Sequence, residues 1–479
     1  MLTVKSSLMC LFGLLMLKGV SAAVVHVPYD FKTIQAGIDA AKHGDTVLVH
    51  PGTYIETIKL KGKRIKLGSR FLNSRNPDWI DETIIKADSA GSVVYFLDYE
   101  DTNTVLSGFT ITNGHPDWYL SQNFGGGIYC GKNTSPRLEY LKVIKNVAIH
   151  GGGIYCYANS KPVLTNVTVC ENYARVGGGI YLEYNTAPYL ENVNVYQNYA
   201  IDAGGGIYCY TDARPFLKKS AIYNNHAALN GGGLFFYCCQ PRLINLTIFG
   251  NTATRGGGIF CGFASHAVII NSIIWQNEPQ QIHFSVPWGG ESSMAIAYSD
   301  VQGGATQIEK NRDTVYWLEG NLDADPLFLD APNQDFELTR QSPAINAGTA
   351  YFQWEGAVLV ELDATEYIGK APDLGACEFP YVLTLIEPSK FPHQFMLYPN
   401  FPNPFNPVTT FIFQLPHFSA VRLTITNLLG EMVTTLINKE MPAGQHQVQW
   451  WAEAMSAGIY FYQLSAGKFS ATGKCLLLK

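Results

Sequence analysis

Residues 151–177 run Gly151-Gly-Gly-Ile-Tyr-Cys-Tyr-Ala-Asn-Ser-Lys-Pro-Val-Leu-Thr-Asn-Val-Thr-Val-Cys-Glu-Asn-Tyr-Ala-Arg-Val-Gly177. Two short segments inside this stretch are β-branched or aromatic and alternate with polar residues, and Gly, Pro or Asn bounds each of them, which is the pattern of strands separated by turns. The last glycine begins the same pattern again. Gly-Gly-Gly followed by an apolar–aromatic pair starts at Gly125, Gly151, Gly177, Gly204, Gly231 and Gly256, a spacing of 25 to 27 residues. An asparagine precedes most triplets by five or six residues, at Asn146, Asn172, Asn198, Asn225 and Asn251, and Asn113 and Asn277 extend that column at either end. The second segment repeats as well, with Leu138, Leu164, Leu190, Leu217, Leu243 and Ile269 in one column. No window here has a helical period. Short strands at a fixed period of this length describe a parallel β-solenoid, an all-β fold in which each coil pairs with the next about 4.8 Å away.

Stacking of identical positions makes the side chains predictable. Along Gly-Ile-Tyr-Cys, Ile and Cys share one face and Tyr takes the other. Ile128, Ile154, Ile180, Ile207, Leu234 and Ile259 are expected inside, joined by Cys130, Cys156, Cys209, Cys261, Leu182 and Phe236. The outward column is then Tyr129, Tyr155, Tyr181, Tyr208, Phe235 and Phe260, with Tyr157, Tyr210 and Tyr237 projecting two residues on. This stripe is expected to form a flat aromatic surface, and Tyr129, Tyr155, Tyr157, Tyr181, Tyr208, Tyr210, Phe235 and Tyr237 are the candidate substrate-binding residues. Stacked asparagine amides bond coil to coil, and a second column, Asn166, Asn192, Asn245 and Asn271, has the same expected role.

Composition agrees with an ordered, turn-dense β protein: of 479 residues 47% are hydrophobic and 15% charged, with Gly 45, Tyr 27 and Phe 26. Such a chain is not disordered. With Lys+Arg 33 against Asp+Glu 39, no basic surplus favours nucleic acid. Lys5, the apolar run Leu8–Leu17 and the small residues Val20-Ser-Ala-Ala23 mark residues 1–22 as a signal peptide. No later stretch is long and apolar enough to span a membrane. Nine cysteines remain after export, an odd number without zinc spacing, and a Cys130–Cys156 disulfide is geometrically marginal.

The triplets and their Asn-x-Ala tails resemble the repeats of right-handed parallel β-helix proteins related to the pectin-lyase superfamily. The opening Val27-Pro-Tyr-Asp-Phe-Lys-Thr-Ile-Gln-Ala-Gly-Ile-Asp-Ala-Ala41 resembles that family's N-terminal cap, a short helix with Ile34 and Ile38 on one face. Asp325-Pro-Leu-Phe328, Ser342-Pro-Ala-Ile-Asn-Ala-Gly348 and Pro372-Asp-Leu-Gly375 resemble the segment that closes such helices. The implied organisation is a cap and first coils over 23–110, repeat coils over 111–303, final coils and cap over 304–380, and a linker over 381–396. From 397 the pattern changes to about seven short alternating strands, expected to form a small Ig-like β-sandwich. Leu397-Tyr-Pro-Asn-Phe-Pro-Asn-Pro-Phe-Asn-Pro407, Asn427-Leu-Leu-Gly430 and Ala457-Gly-Ile-Tyr460 resemble the type A C-terminal sorting domain of type IX secretion. That resemblance implies a Bacteroidetes-like host, the type IX machinery as partner of residues 397–479, and release or display outside the outer membrane.

Chemistry is less legible. β-Helices host lyases, hydrolases, adhesins and inert surfaces alike. Only six acids lie between Gly125 and Asn277, too few for the acidic clusters of calcium-dependent lyases of the superfamily that the chain resembles. No cofactor is expected, and calcium is left open. Weak catalytic candidates are His150, Arg175, Asp202 and Arg255, expected on loops beside the triplets, and Glu139 and Glu191, which share a column two coils apart. Lys218 follows Glu191 in that column, and a solvated ion pair explains the column without catalysis. The expectation is an exported β-helix that engages extracellular polysaccharide; the alternatives are a structural adhesin and an active polysaccharide lyase or glycoside hydrolase.

Overall fold

A computed structural model describes residues 22–115, 124–286, 290–379, 395–416, 419–442, 444–467 and 469–478. The signal peptide, apart from its last residue, the insertion Asp117–Asn123 and most of the linker lie outside them. The chain forms two compact units, residues 1–381 and 382–479.

The first unit is a parallel β-solenoid of about ten turns. One sheet of nine parallel strands carries the triplets, running from Ile58–Lys59 through Ile128–Cys130, Ile154–Tyr157, Ile180–Glu183, Ile207–Tyr210, Leu234–Tyr237 and Ile259–Gly262 to Ile282–Phe284. A long sheet is built on Arg137–Ile144, Val163–Cys170, Tyr189–Tyr196, Phe216–Tyr223 and Arg242–Phe249. The repeat suggests two strands per coil, but the structure has a third. A short sheet of Val147–His150, Tyr173–Val176, Tyr199–Ala203 and His226–Ala227 occupies the stretch between asparagine and triplet.

Register follows the expected columns, with Ile128, Ile154, Ile180, Ile207, Leu234 and Ile259 paired in succession and 0–1% exposed. Cys130, Cys156, Cys209 and Cys261 line the same interior, and the nine described cysteines are free thiols. The glycine triplets are needed for two reasons. The first glycine is left-handed, φ +65° at Gly177, and a Cβ on the second would meet backbone: at Gly178 it would lie 2.5 Å from the Gly205 carbonyl oxygen and 2.6 Å from that of Tyr199.

The two asparagine columns differ in role. Asn166, Asn192, Asn245 and Asn271 are themselves left-handed, φ 53–55°, and bend the long strands. Asn146, Asn172, Asn198, Asn225, Asn251 and Asn277 are buried and hydrogen-bonded coil to coil, while the left-handed residue is the one before each, such as Lys145 or Glu171. Asn113 does not extend the buried column. It aligns with Lys145, and Gly114 takes the asparagine position, donating its N–H to Asn146 Oδ1 at 2.9 Å. At the other end Gln281 Oε1 accepts from Asn277 Nδ2 at 2.7 Å and stands in for a further asparagine.

The helix Ile34–Ala40 buries Ile34 and Ile38 as expected of a cap, and Thr33 Oγ1 accepts from Ala36 N–H at its start. The other end departs from expectation. Thr314–Trp317 adds a last strand to the long sheet, but residues 328–379 do not simply close the end. They run along the outer flank of the long sheet: Asn271 Nδ2 donates to the Thr349 carbonyl at 2.9 Å, Asn245 Nδ2 to that of Asp373 at 3.1 Å, and Phe336 packs on Tyr223 and Phe249. The cause lies in the strands beneath. Val163–Cys170 alternates, whereas Arg242–Phe249 and His266–Ile270 are apolar on both faces and need a cover.

The second unit holds seven antiparallel strands in two sheets, one of Met396–Leu397, Val408–Leu415 and Gly444–Trp451, the other of Met432–Met441, Ser419–Thr426, Gly458–Ala466 and Phe469–Leu477. Phe411, Phe413, Leu423, Trp450, Tyr462 and Leu464 fill the core between them. No helix among the described residues is long and apolar enough to cross a membrane.

Candidate ligand-binding face

The outer side of the triplet sheet carries the aromatic column, and its rings stack on one another. Centroids lie 5.3 Å apart for Tyr129–Tyr155, 5.5 Å for Tyr155–Tyr181, 4.9 Å for Tyr181–Tyr208, 4.5 Å for Tyr208–Phe235 and 5.0 Å for Phe235–Phe260. His283 continues the stack beyond Phe260 at 5.2 Å. The column therefore exists, but it is not a flat surface of free ring faces. Coil spacing equals stacking distance, so each ring covers its neighbours' faces, and Tyr155 is 1% and Tyr181 and Phe235 are 5% exposed. Tyr129 and Tyr208 are half-buried. Burial pushes the phenol of Tyr129 up to about 12 and those of Tyr155, Tyr181 and Tyr208 higher still.

A second row two residues on is arranged differently. Tyr157, Glu183, Tyr210 and Tyr237 are register partners on successive coils, so an acid replaces the ring on the second coil. Tyr155 Oη donates to Glu183 Oε2. Burial raises the Glu183 carboxyl above the usual range, against the pull of that hydrogen bond. The next residue, Tyr184, is 44% exposed, and its ring stands near-perpendicular to Tyr157 (6.0 Å, 81°) and to Tyr210 (5.9 Å, 76°). Ring-on-ring stacking in this second row is interrupted at this coil, and Tyr184 is its exposed ring. Neither Glu183 nor Tyr184 was among the sequence candidates. The signal for Glu183 was present, as the acid that interrupts an aromatic column; Tyr184 sits in the turn, where column reasoning does not reach.

The six catalytic candidates are only partly brought together. His150 and Arg175 lie in strands of the short sheet rather than in loops. Arg175 Nε pairs with Asp202 Oδ2 at 2.6 Å, so each charge is already answered. His150 stacks on Phe124 at 5.1 Å, its Nδ1 is buried without a partner among the described residues, and burial, then Arg175, lowers its pKa. Arg255 shares the column of His150 four coils away, roughly 19 Å at coil spacing. Glu139 and Glu191 lie on the long sheet, away from the aromatic face. Glu139 pairs with Arg137. Lys218 does not pair with Glu191 as the column suggested; its partner is Glu366 of the flanking segment. Among the described residues no group of three or more His, Cys, Asp or Glu is placed to hold a metal ion.

Two family models match the chain. One describes a right handed beta helix region and matches residues 79–225 and 152–312. The other describes a secretion system C-terminal sorting domain and matches residues 400–478. No curated protein matches the chain.

Proposed function

Taking the chain as a right-handed β-helix protein whose type IX sorting domain sends it to the cell surface or beyond, we propose that its β-helix binds extracellular polysaccharide along the outer face of the triplet sheet. The observation that carries this reading is the tyrosine-rich face itself. From Tyr129 to Tyr237 it offers phenol edges from the stacked column, the half-buried rings of Tyr157 and Tyr210 and the exposed ring of Tyr184, along one side of the solenoid. Tyrosine combines an apolar body with a polar tip, which suits the mixed surface of a sugar. Tyr129, Tyr155, Tyr157, Tyr181, Tyr208, Tyr210, Phe235 and Tyr237 remain the proposed contact residues, the buried ones acting through their edges. Binding without bond cleavage is favoured, because Arg175 and Asp202 satisfy one another and Glu139 and Glu191 stand on another sheet.

The test is retention of the secreted protein on a panel of plant, algal and host polysaccharides, with reducing ends and ultraviolet-absorbing unsaturated products followed in parallel. Retention without products supports binding. Products would reassign the protein as a lyase or hydrolase, and the absence of any retention would sink the reading. A second reading, protein contact, rests on a different observation: Tyr173, Tyr199, Ile201 and Leu229 are all 38–49% exposed on and beside the short sheet. Loss of cell or protein adhesion in Tyr199→Asp with polysaccharide retention intact would favour it.

A further inference from the structure

The break in the tyrosine stack has a charge at its base. Glu183 projects from the same sheet face as its register partners Tyr157 and Tyr210, and the phenols of Tyr155, Tyr181 and Tyr184 also lie in its field. Among the described residues no lysine, arginine or histidine pairs with it, whereas Asp202 and Glu139 each have a cation. Its one hydrogen-bond donor is a tyrosine hydroxyl. A half-buried carboxylate without a counter-charge gains from a cation brought to it. Beside it Tyr184 stands near-perpendicular to Tyr157 and Tyr210, and the π-faces of such rings attract ammonium groups.

We propose that Glu183 with Tyr157, Tyr184 and Tyr210 forms a binding site for an organic ammonium group, supplied by the free amine of an amino-sugar unit in the bound polysaccharide. The inference rests on the polysaccharide reading above and names the sugar class that it favours. Two features of the site separate it from the rest of the face. On neighbouring coils the position of Glu183 is Tyr157, Tyr210 or Tyr237, so only one coil offers the anion. The turn position of Tyr184 is Ala158, Thr211 or Cys238 on the neighbouring coils; the ring at this position one coil further, Phe263, stacks on Tyr237 at 4.4 Å instead of standing perpendicular to it and has no acid before it. One charged point on a long uncharged tyrosine row suits a polymer with amines rather than a polyanion.

The experiment is calorimetric titration of the secreted protein with glucosamine oligomers and N-acetylglucosamine oligomers of equal length, and with tetramethylammonium as the minimal cation. The free-amine oligomer should bind about tenfold or more tightly than the acetylated one. Glu183→Gln, which keeps an acceptor for Tyr155 and so preserves the fold, should erase that preference and the binding of tetramethylammonium. Tyr184→Ala should weaken both. Equal affinity for the two oligomers, or a preference that survives Glu183→Gln, overturns the site while leaving polysaccharide binding standing. Tetramethylammonium binding lost in Glu183→Gln, with no oligomer or other polysaccharide bound, supports the cation site and overturns its sugar ligand and the polysaccharide reading. Binding of neither probe overturns both.

Discussion

Asn172 Nδ2 donates to Asn198 Oδ1 on the next coil at 3.0 Å and to the Val143 carbonyl on the preceding coil at 3.0 Å, while the Asn172 backbone N–H shares the same Asn198 oxygen. Each buried asparagine thus ties three coils together. Asn198→Ala would leave two Asn172 donors without their acceptor and take a donor from the Val169 carbonyl, in a site that water does not reach. At about 1–3 kcal/mol for each buried group left unsatisfied, a loss of roughly 3 kcal/mol or more is expected in chemical denaturation. A loss below about 1 kcal/mol would show that the ladder is decoration.

Gly178→Ala tests the close approach of coils. Its Cβ would sit 2.5 Å from the Gly205 carbonyl oxygen and 2.6 Å from that of Tyr199, both backbone atoms that cannot turn aside. Destabilisation at or beyond the ~3 kcal/mol end of overpacking is expected, read as a lowered Tm or failure to accumulate folded protein. A fully stable variant would mean the coils can spread.

Tyr181 and Tyr184 should separate stability from binding. Tyr181 is 5% exposed within the stack and Tyr184 is 44% exposed at its edge. Tyr181→Ala should cost about 3–5 kcal/mol of stability, as truncation of a buried aromatic does. Tyr184→Ala should change stability by less than about 1 kcal/mol yet reduce polysaccharide retention. If Tyr184→Ala retains polysaccharide fully, its exposed ring is not the contact.

Protonation of Asp300 and Glu378 should stabilise the β-helix between pH 7 and pH 5, while His50 and His150, whose pKa values burial lowers, act in the opposite sense. Burial pushes Asp300 up to about 7, opposed by its bond from Ala324 N–H and reinforced by Asp323 and Asp325, and burial likewise pushes Glu378 up to about 7. Unfolded carboxyls titrate near 4, so in that window the folded chain holds these protons more tightly. Their favourable contribution is complete below the unfolded value and is lost as pH rises through about 7. Asp300→Asn should flatten the rise in Tm from pH 7.5 to pH 5; an unchanged slope would exclude Asp300 as its source.

The flanking segment should open separately from the coils. Phe336 is 6% exposed against Tyr223, Phe249 and Phe328. Phe336→Ala should speed amide exchange and proteolysis within 328–379 before the triplet strands respond. Simultaneous loss of protection in both would show one cooperative unit.

Periodicity determined the coil length, the inward isoleucines and cysteines and the stacked asparagines, while the helical cap and the sorting domain were legible through the family motifs that they resemble. The periodic features recur at coil spacing or follow local alternation, so their neighbours are copies of themselves and one coil predicts the next. Tertiary structure alone decided the rest. The repeat placed the tyrosines outward correctly, but only packing at stacking distance shows that the column hides its ring faces, and only the turn places the exposed ring of Tyr184 beside it. Lys218 looks toward Glu191 in the column yet pairs with Glu366, 148 residues away, because the apolar flank of the later long strands draws a non-repeating segment across them. A contact between a repeat and a segment that repeats nothing has no period, and it becomes visible only when the chain has folded.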